Sequence, residues 1–108
     1  WEAEEARGER IVTEGVVIDT AAHQVSVEGK AAEFTATEFR LLHYLAANPG
    51  RVFTRNHLLS RVMGESVTLV DRNIDVHIGA IRRKLNKSRD LLETVRGVGY
   101  RFRDPRAG

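Results

Sequence analysis

Residues 71–86 read Asp71-Arg72-Asn73-Ile74-Asp75-Val76-His77-Ile78-Gly79-Ala80-Ile81-Arg82-Arg83-Lys84-Leu85-Asn86, and shortly after comes Thr94-Val95-Arg96-Gly97-Val98-Gly99-Tyr100-Arg101-Phe102. At about 100° per residue, Ile74, Ile78, Ile81 and Leu85 fall within about 60° of one another, while Arg72, Asn73, Val76, Ala80, Arg83 and Lys84 point broadly the other way. A helix divided in this way is held by its apolar face and offers the other. The offered face carries long cations with an Asn among them, a combination suited to the major groove of B-DNA, where phosphates attract Arg and Lys and base edges match Asn and Arg forks. Taken alone, a charged helix face is only a solvated face. The second stretch changes that reading. Arg96 stands immediately before Gly97-Val98-Gly99, which places it near the tip of a two-stranded ribbon whose glycines allow a tight turn with positive φ. No third glycine follows and no helix opens there, so a dinucleotide-binding fingerprint is rejected. An Arg-tipped ribbon beside a basic helix reads as a wing.

Charge distribution points the same way. Residues 1–70 hold seven Arg and Lys against ten Asp and Glu, whereas residues 71–108 hold ten against five, so the C-terminal part is net positive by five and the rest net negative by three. That asymmetry is an electrostatic footprint for a polyanion. A membrane surface would call for large apolar residues beside the cations, and the helix lacks them. No membrane partner is expected.

With 108 residues and 42% hydrophobic content the chain is long enough for one domain with a single core. Cysteine is absent, which excludes disulfide frameworks, thiol chemistry and Cys-based zinc sites and fits a reducing, cytoplasmic setting. No apolar run approaches the roughly 20 residues of a spanning helix, and no signal-peptide pattern opens the chain. It begins at Trp1 without a Met, from which a piece of something longer is expected.

The acidic stretch 1–9 reads as a linker remnant, residues 10–104 as the folded domain and 105–108 as a tail. Ile11-Val12, Val16-Val17-Ile18, Val25-Ser26-Val27 and Ala31 to Phe34 are short β-rich pieces separated by Glu14-Gly15, Asp19-Thr20 and Glu28-Gly29, which predicts four antiparallel strands. Thr35-Ala36-Thr37-Glu38 matches a capping box opening a helix that buries Phe39, Leu42, Leu45 and Ala46 and stops at Asn48-Pro49-Gly50. Val52-Phe53 is a short strand or extended link. Thr54 can cap a second helix running to about Val62 and burying Leu58, Leu59 and Val62. Gly64 to Leu69 is a loop before the basic helix. The expected fold class is α+β: a winged helix-turn-helix with an N-terminal four-stranded antiparallel sheet, three helices and a C-terminal β-hairpin wing.

The chain resembles the C-terminal winged-helix effector domain of OmpR/PhoB-type response regulators, the transcription factors of two-component systems. The matching segments are Phe34 to Leu42, Asn48 to Arg55, Asp71 to Ile78, Ile81 to Leu85 and Thr94 to Phe102, and with the four-strand opening they cover nearly everything from Arg10 onward. The resemblance implies sequence-specific binding of double-stranded DNA, with tandem half-sites, and a phospho-acceptor domain elsewhere in the parent protein. It implies that Asp71 to Asn86 is the recognition helix in the major groove and that the wing, 92–103, puts Arg96 into the minor groove. Asn73, Val76 and Ala80 match positions facing the bases, with Arg96 reading the minor groove. Arg72, His77, Arg82, Thr94 and Tyr100 match positions that touch the phosphate backbone, and Arg83 joins them as a phosphate cation. The loop Gly64-Glu65-Ser66-Val67-Thr68-Leu69 occupies the place where family members contact RNA polymerase.

Chemistry supports part of this: Asn pairs bidentately with adenine and Val packs on a thymine methyl. Asp75 lies nearer the side of the helix, with a role in orienting an Arg or accepting from cytosine. Two departures stand out. Many family members carry long polar or basic side chains at one or both of the positions of Gly79 and Ala80, and Met63 stands where a Trp is frequent. Modest base discrimination by the helix is the expected result.

Enzyme chemistry finds no footing. His23, His43, His57 and His77 are scattered, no His pair has metal-ligand spacing, and Ser26, Ser60, Ser66 and Ser88 have no elbow or neighbouring base. Glu38 is accounted for by its capping role. No catalytic residue, metal or cofactor is expected. The rival reading is a winged-helix module for protein contact, because fold does not fix function, and Gly79-Ala80 would leave a surface open to a partner. Arg72, Arg83 and Arg96 weigh toward DNA.

Overall fold

The computed structural model describes residues 10–62 and 73–104. Four strands, β1 (Arg10–Thr13), β2 (Val16–Asp19), β3 (Gln24–Val27) and β4 (Lys30–Ala32), form an antiparallel sheet in sequence order. Its outer hairpins turn on Glu14-Gly15 and Glu28-Gly29, where both residues of each pair have positive φ. That is the two-residue turn whose twist suits paired strands. Alternation sends Val16, Ile18, Val25 and Val27 into the core. The fourth strand stops at Ala32, shorter than the sequence suggests, and Phe34 packs half-buried against the core from the connection.

Helix α1 (Ala36–Ala46) opens on the expected capping box: the Glu38 amide donates to Thr35 Oγ1 at 3.1 Å and the Thr35 amide to Glu38 Oε1 at 3.0 Å. Phe39, Leu41, Leu42, Leu45 and Ala46 are buried along it. After Pro49-Gly50 comes β5 (Val52–Thr54), whose last residue caps α2 (Arg55–Val62) by accepting from the His57 amide at 3.1 Å. Helix α3 (Ile74–Leu85) buries Ile74, Ile78, Ile81 and Leu85, the stripe seen in the sequence. Asn86, at φ +55°, ends it, and a 3₁₀ segment (Asn86–Leu91) that the periodicity did not indicate leads into β6 (Leu92–Val95) and β7 (Gly99–Phe102). The recognition helix is therefore shorter than residues 71–86: Asn73 is its cap and Asn86 its terminator, while Asp71 and Arg72 lie outside the described residues.

The terminal hairpin does not stand alone. β7 also pairs with β5, giving a second sheet in the order β5-β7-β6. Gly99 permits this. A Cβ on Gly99 would sit 1.9 Å from the Phe53 carbonyl oxygen, so its hydrogen side chain serves the close approach of β5, not the turn. Gly97 serves the turn, with φ +78° and nothing within 4 Å of a Cβ.

Glu38 does more than cap. It is 6% exposed and accepts from Lys84 Nζ at 2.5 Å, joining the first turn of α1 to the last turn of α3. Burial alone would raise its pKa. The Lys84 bond and the Thr35 amide outweigh that and hold the carboxyl below its ordinary value.

Two expectations follow from these contacts. In urea titrations, Gly99→Ala should cost on the order of 3 kcal/mol or more because backbone must move, whereas Gly97→Ala should cost about 1–2 kcal/mol for its left-handed φ. Lys84→Met should cost about 1–3 kcal/mol at neutral pH, less than a fully buried pair would. Because the folded-state pKa of Glu38 is depressed, its contribution is present above the ordinary carboxylate pKa of about 4 and lost as pH falls through the folded value. Without Lys84 its hydrogen bond and its charge no longer lower the pKa of Glu38, which moves up from its folded value, so the deficit of Lys84→Met should shrink on acidification.

Candidate nucleic-acid interface

The exposed side of α3 and the tip of the β6–β7 hairpin are the two parts of the site, and the local sequence explains each. At the helix start, Asn73 adopts extended φ and ψ and its Oδ1 accepts from the Val76 amide at 3.2 Å. This satisfies an amide that the helix cannot. Asp75 lies in the first turn and Arg82, Arg83 and Lys84 in the last, each at the end its charge favours. Facing solvent are Val76, 58% exposed, and Arg83, with Gly79 and Ala80 half-exposed beside them. In the hairpin, the Val98 amide donates to the Val95 carbonyl at 2.9 Å across Arg96-Gly97, a type II geometry with glycine at the left-handed position. Arg96 and Val98 are exposed at the tip.

Asp75 is the residue that binds these parts to one another. Its Oδ1 accepts from Arg55 Nε at 2.7 Å and from the Tyr100 hydroxyl, so one carboxylate ties α3 to α2 and to β7. The Arg55 guanidinium also lies 5.4 Å from the centre of the Tyr100 ring. The hydrogen bonds from Tyr100 and Arg55 hold the Asp75 carboxyl below its ordinary pKa. Burial and the neighbouring carboxylate push the Tyr100 hydroxyl up, so it stays a donor.

Arg82 makes a second tie. Its Nε and Nη2 donate to the Leu92 carbonyl at 3.0 and 2.6 Å, and Nη2 also reaches Thr94 Oγ1 at 2.8 Å. A planar fork on one carbonyl fixes direction as well as distance. Helix and hairpin thus form one surface.

The residues singled out in the sequence that are described now have a place. Val76, Ala80, Arg83, Thr94 and Arg96 share that surface. Asn73 is there too, but with its oxygen engaged as a cap, only its amide nitrogen remains to donate. Arg82 spends three of its donors on β6. Tyr100 is only 5% exposed and its hydroxyl is given to Asp75. His77 is half-buried on the flank near Glu38, whose charge it influences. Arg72, Met63 and the loop Gly64 to Leu69 lie outside the described residues. Arg55 had not been marked by the sequence, because its acid partner is 20 residues away and no local pattern links them. Among the described residues no group of three His, Cys, Asp or Glu could hold a metal ion, and no helix is long and apolar enough to cross a membrane.

Comparison with known proteins agrees with this architecture. The family described as "Transcriptional regulatory protein, C terminal" matches residues 29–102. The chain belongs to that family, the effector domains of OmpR/PhoB-type response regulators. It is 42% identical over 89 residues to the phosphate regulon transcriptional regulatory protein PhoB of Pseudomonas aeruginosa, covering 82% of this chain and 39% of that protein. Against PhoB of Escherichia coli K12 it is 40% identical over 96 residues, with 87% and 42% covered. The chain thus spans about two fifths of the length of these relatives. Among solved structures, the DNA-binding domain of CpxR from E. coli superposes with a TM-score of 0.76 at 35% identity, covering 90% of this chain and 98% of that one. The DNA-binding domain of Klebsiella pneumoniae RstA, solved in complex with the RstA box, gives 0.75 at 30% identity, covering 88% and 97%. The winged-helix fold of this transcription-factor family, and not an enzyme family, is what these likenesses establish.

Removing the Tyr100 hydroxyl isolates the Asp75 contact. Tyr100→Phe should cost about 1 kcal/mol, discounted from a buried charged bond because Asp75 is half exposed. The Asp75 pKa should rise toward the ordinary carboxylate value, read by NMR titration of its side chain. The stability deficit should be present above the unfolded carboxylate pKa, about 4, and vanish below both folded values.

Proposed function

We propose that the chain is the DNA-binding output domain of a two-component response regulator and binds double-stranded DNA sequence-specifically, with α3 in the major groove and the Arg96 hairpin in the adjacent minor groove. One observation carries the reading: Asp75 and Arg82 lock the helix face and the hairpin tip into a single cationic surface, as a protein must that grips two neighbouring grooves at once. AdeR and RstA, which have this fold, were solved with DNA.

Within that reading Val76 packs on a thymine methyl, Asn73 donates its amide to a base acceptor, Ala80 lies against the groove floor and Arg96 reads the minor groove. Thr94, His77 and the free Nη1 of Arg82 approach phosphates, as does Arg72. Tyr100 supports the phosphate contacts from beneath by holding Asp75. The regulator that contains this domain carries a phospho-acceptor domain, acts in the cytoplasm without enzymatic activity in this part, pairs on tandem half-sites, and meets RNA polymerase through residues 64–69.

Arg96→Ala should weaken binding by about 1–3 kcal/mol and flatten any preference for a narrow A·T-rich flank, where negative potential concentrates on an inserted guanidinium. Gel-shift titrations over a salt series check this. No shift of any duplex even at low salt would instead mark a protein-contact module, whose hold on a protein partner should survive the moderate salt at which phosphate contacts weaken steeply.

A further inference from the structure

We propose that Arg83 reads a base and is not merely a phosphate contact: the absent side chain of Gly79 gives its guanidinium a seat on the groove-facing surface of α3, from which it recognises a guanine. The proposal rests on α3 occupying the major groove.

Position on the helix is the first argument. Counting from Ile74 at about 100° per residue, Arg83 falls at about 180°, opposite the residue that anchors the helix in the core, with Val76, Gly79 and Ala80 within about 60° to either side. Arg82 and Lys84 fall about 100° away on opposite flanks. A groove presents base edges to the centre of such a face and phosphates to its flanks. Both flanking cations are already engaged, Arg82 with Leu92 and Thr94 and Lys84 with Glu38. Arg83 is exposed and, among the described residues, bonds to nothing; Glu28 borders the same depression without pairing with it. Its donors are free where the base edges would lie.

The second argument is the seat. Long helical side chains lean toward the N-terminus, so residue 83 covers the turn that holds residue 79. A Cβ on Gly79 would find one atom within 4 Å apart from the helix's own backbone, Arg83 Nη1 at 3.8 Å. The guanidinium therefore lies along the helix, over a position that any side chain larger than Ala would occupy. Val76, one turn nearer the N-terminus, offers exposed apolar surface rather than a competing acceptor. A planar fork held in this way matches the O6 and N7 pair of guanine. The departure at Gly79 thereby moves the reading cation by one turn and does not abolish it.

Selection of bound sites from random duplex DNA tests this with the present chain and with Arg83→Ala, Arg83→Lys and Gly79→Leu. The unaltered chain should select a guanine at one position of each bound site. Arg83→Ala and Arg83→Lys should each lose about 10- to 100-fold of discrimination there. Arg83→Lys should keep the salt dependence of binding. Gly79→Leu, a better helix former whose retained helix content circular dichroism verifies, should lose the same guanine with Arg83 intact. If Arg83→Ala weakens all sequences alike and lowers the salt slope by about one contact while the selected guanine persists, Arg83 is a phosphate contact and the proposal is overturned. If Gly79→Leu leaves the guanine in place, the seat is overturned. Failure of the unaltered chain to select any sequence would refute the DNA reading itself, a result distinct from both.

Discussion

A single carboxylate near the start of α3 governs how the chain presents its surface. Asp75 stands on the flank of the helix and accepts from Arg55 on α2 and from Tyr100 on β7, so three elements distant in sequence share one acceptor. Neither bond need be strong. An ion pair this exposed contributes little to stability, but it fixes direction: a helix presenting Val76 and Arg83 and a hairpin presenting Arg96 must keep a constant angle if both are to meet DNA. Arg82 fixes the same relation from the other end of the helix. The core supplies the stability, through Ile74, Ile78, Ile81 and Leu85 beneath the helix and Tyr100 and Phe102 beneath the hairpin. The polar ties supply orientation.

Much of the frame was legible in the sequence because its signals are local. The capping box at Thr35 and Glu38, the Thr54 cap, the glutamate-glycine turns and the isoleucine stripe each operate within a few residues, where propensity and periodicity speak directly. Contacts that join distant segments were not legible. Nothing around Val52 announces that β5 will pair with β7, and Gly99 read as a turn glycine although it makes room for that pairing. Asn73 read as a base contact because an Asn on an exposed helix face invites it; the helix begins one residue later, and the same side chain is needed as a cap. The resemblance put Tyr100 and Arg82 at phosphate-touching positions but carried no sign of their bonds within the chain, whose partners lie 25 and 10 or more residues away.

The N-terminal sheet is attached to this machinery at Glu14. Its carbonyl accepts from Ser88 Oγ at 3.0 Å and its carboxylate pairs with Arg103, so the first hairpin turn touches both the 3₁₀ segment after α3 and the end of β7. A four-residue strand pair with only one buried face has little hold by itself. Here it is pinned where the C-terminal elements meet.

The pairing of β5 with β7 has a kinetic side. Hairpins β1–β2 and β3–β4 close two-residue loops, whereas Val52 meets Arg101 only after all of α2 and α3 have been traversed. Chain entropy weighs on such long closures far more than on short turns, and topologies rich in them reach the native state slowly. The β6–β7 hairpin that carries Arg96 closes across only three residues and does not wait on that step. What waits is its docking onto β5, so a chain caught before then would hold the Arg96 arm without one of the attachments that set its angle to the helices.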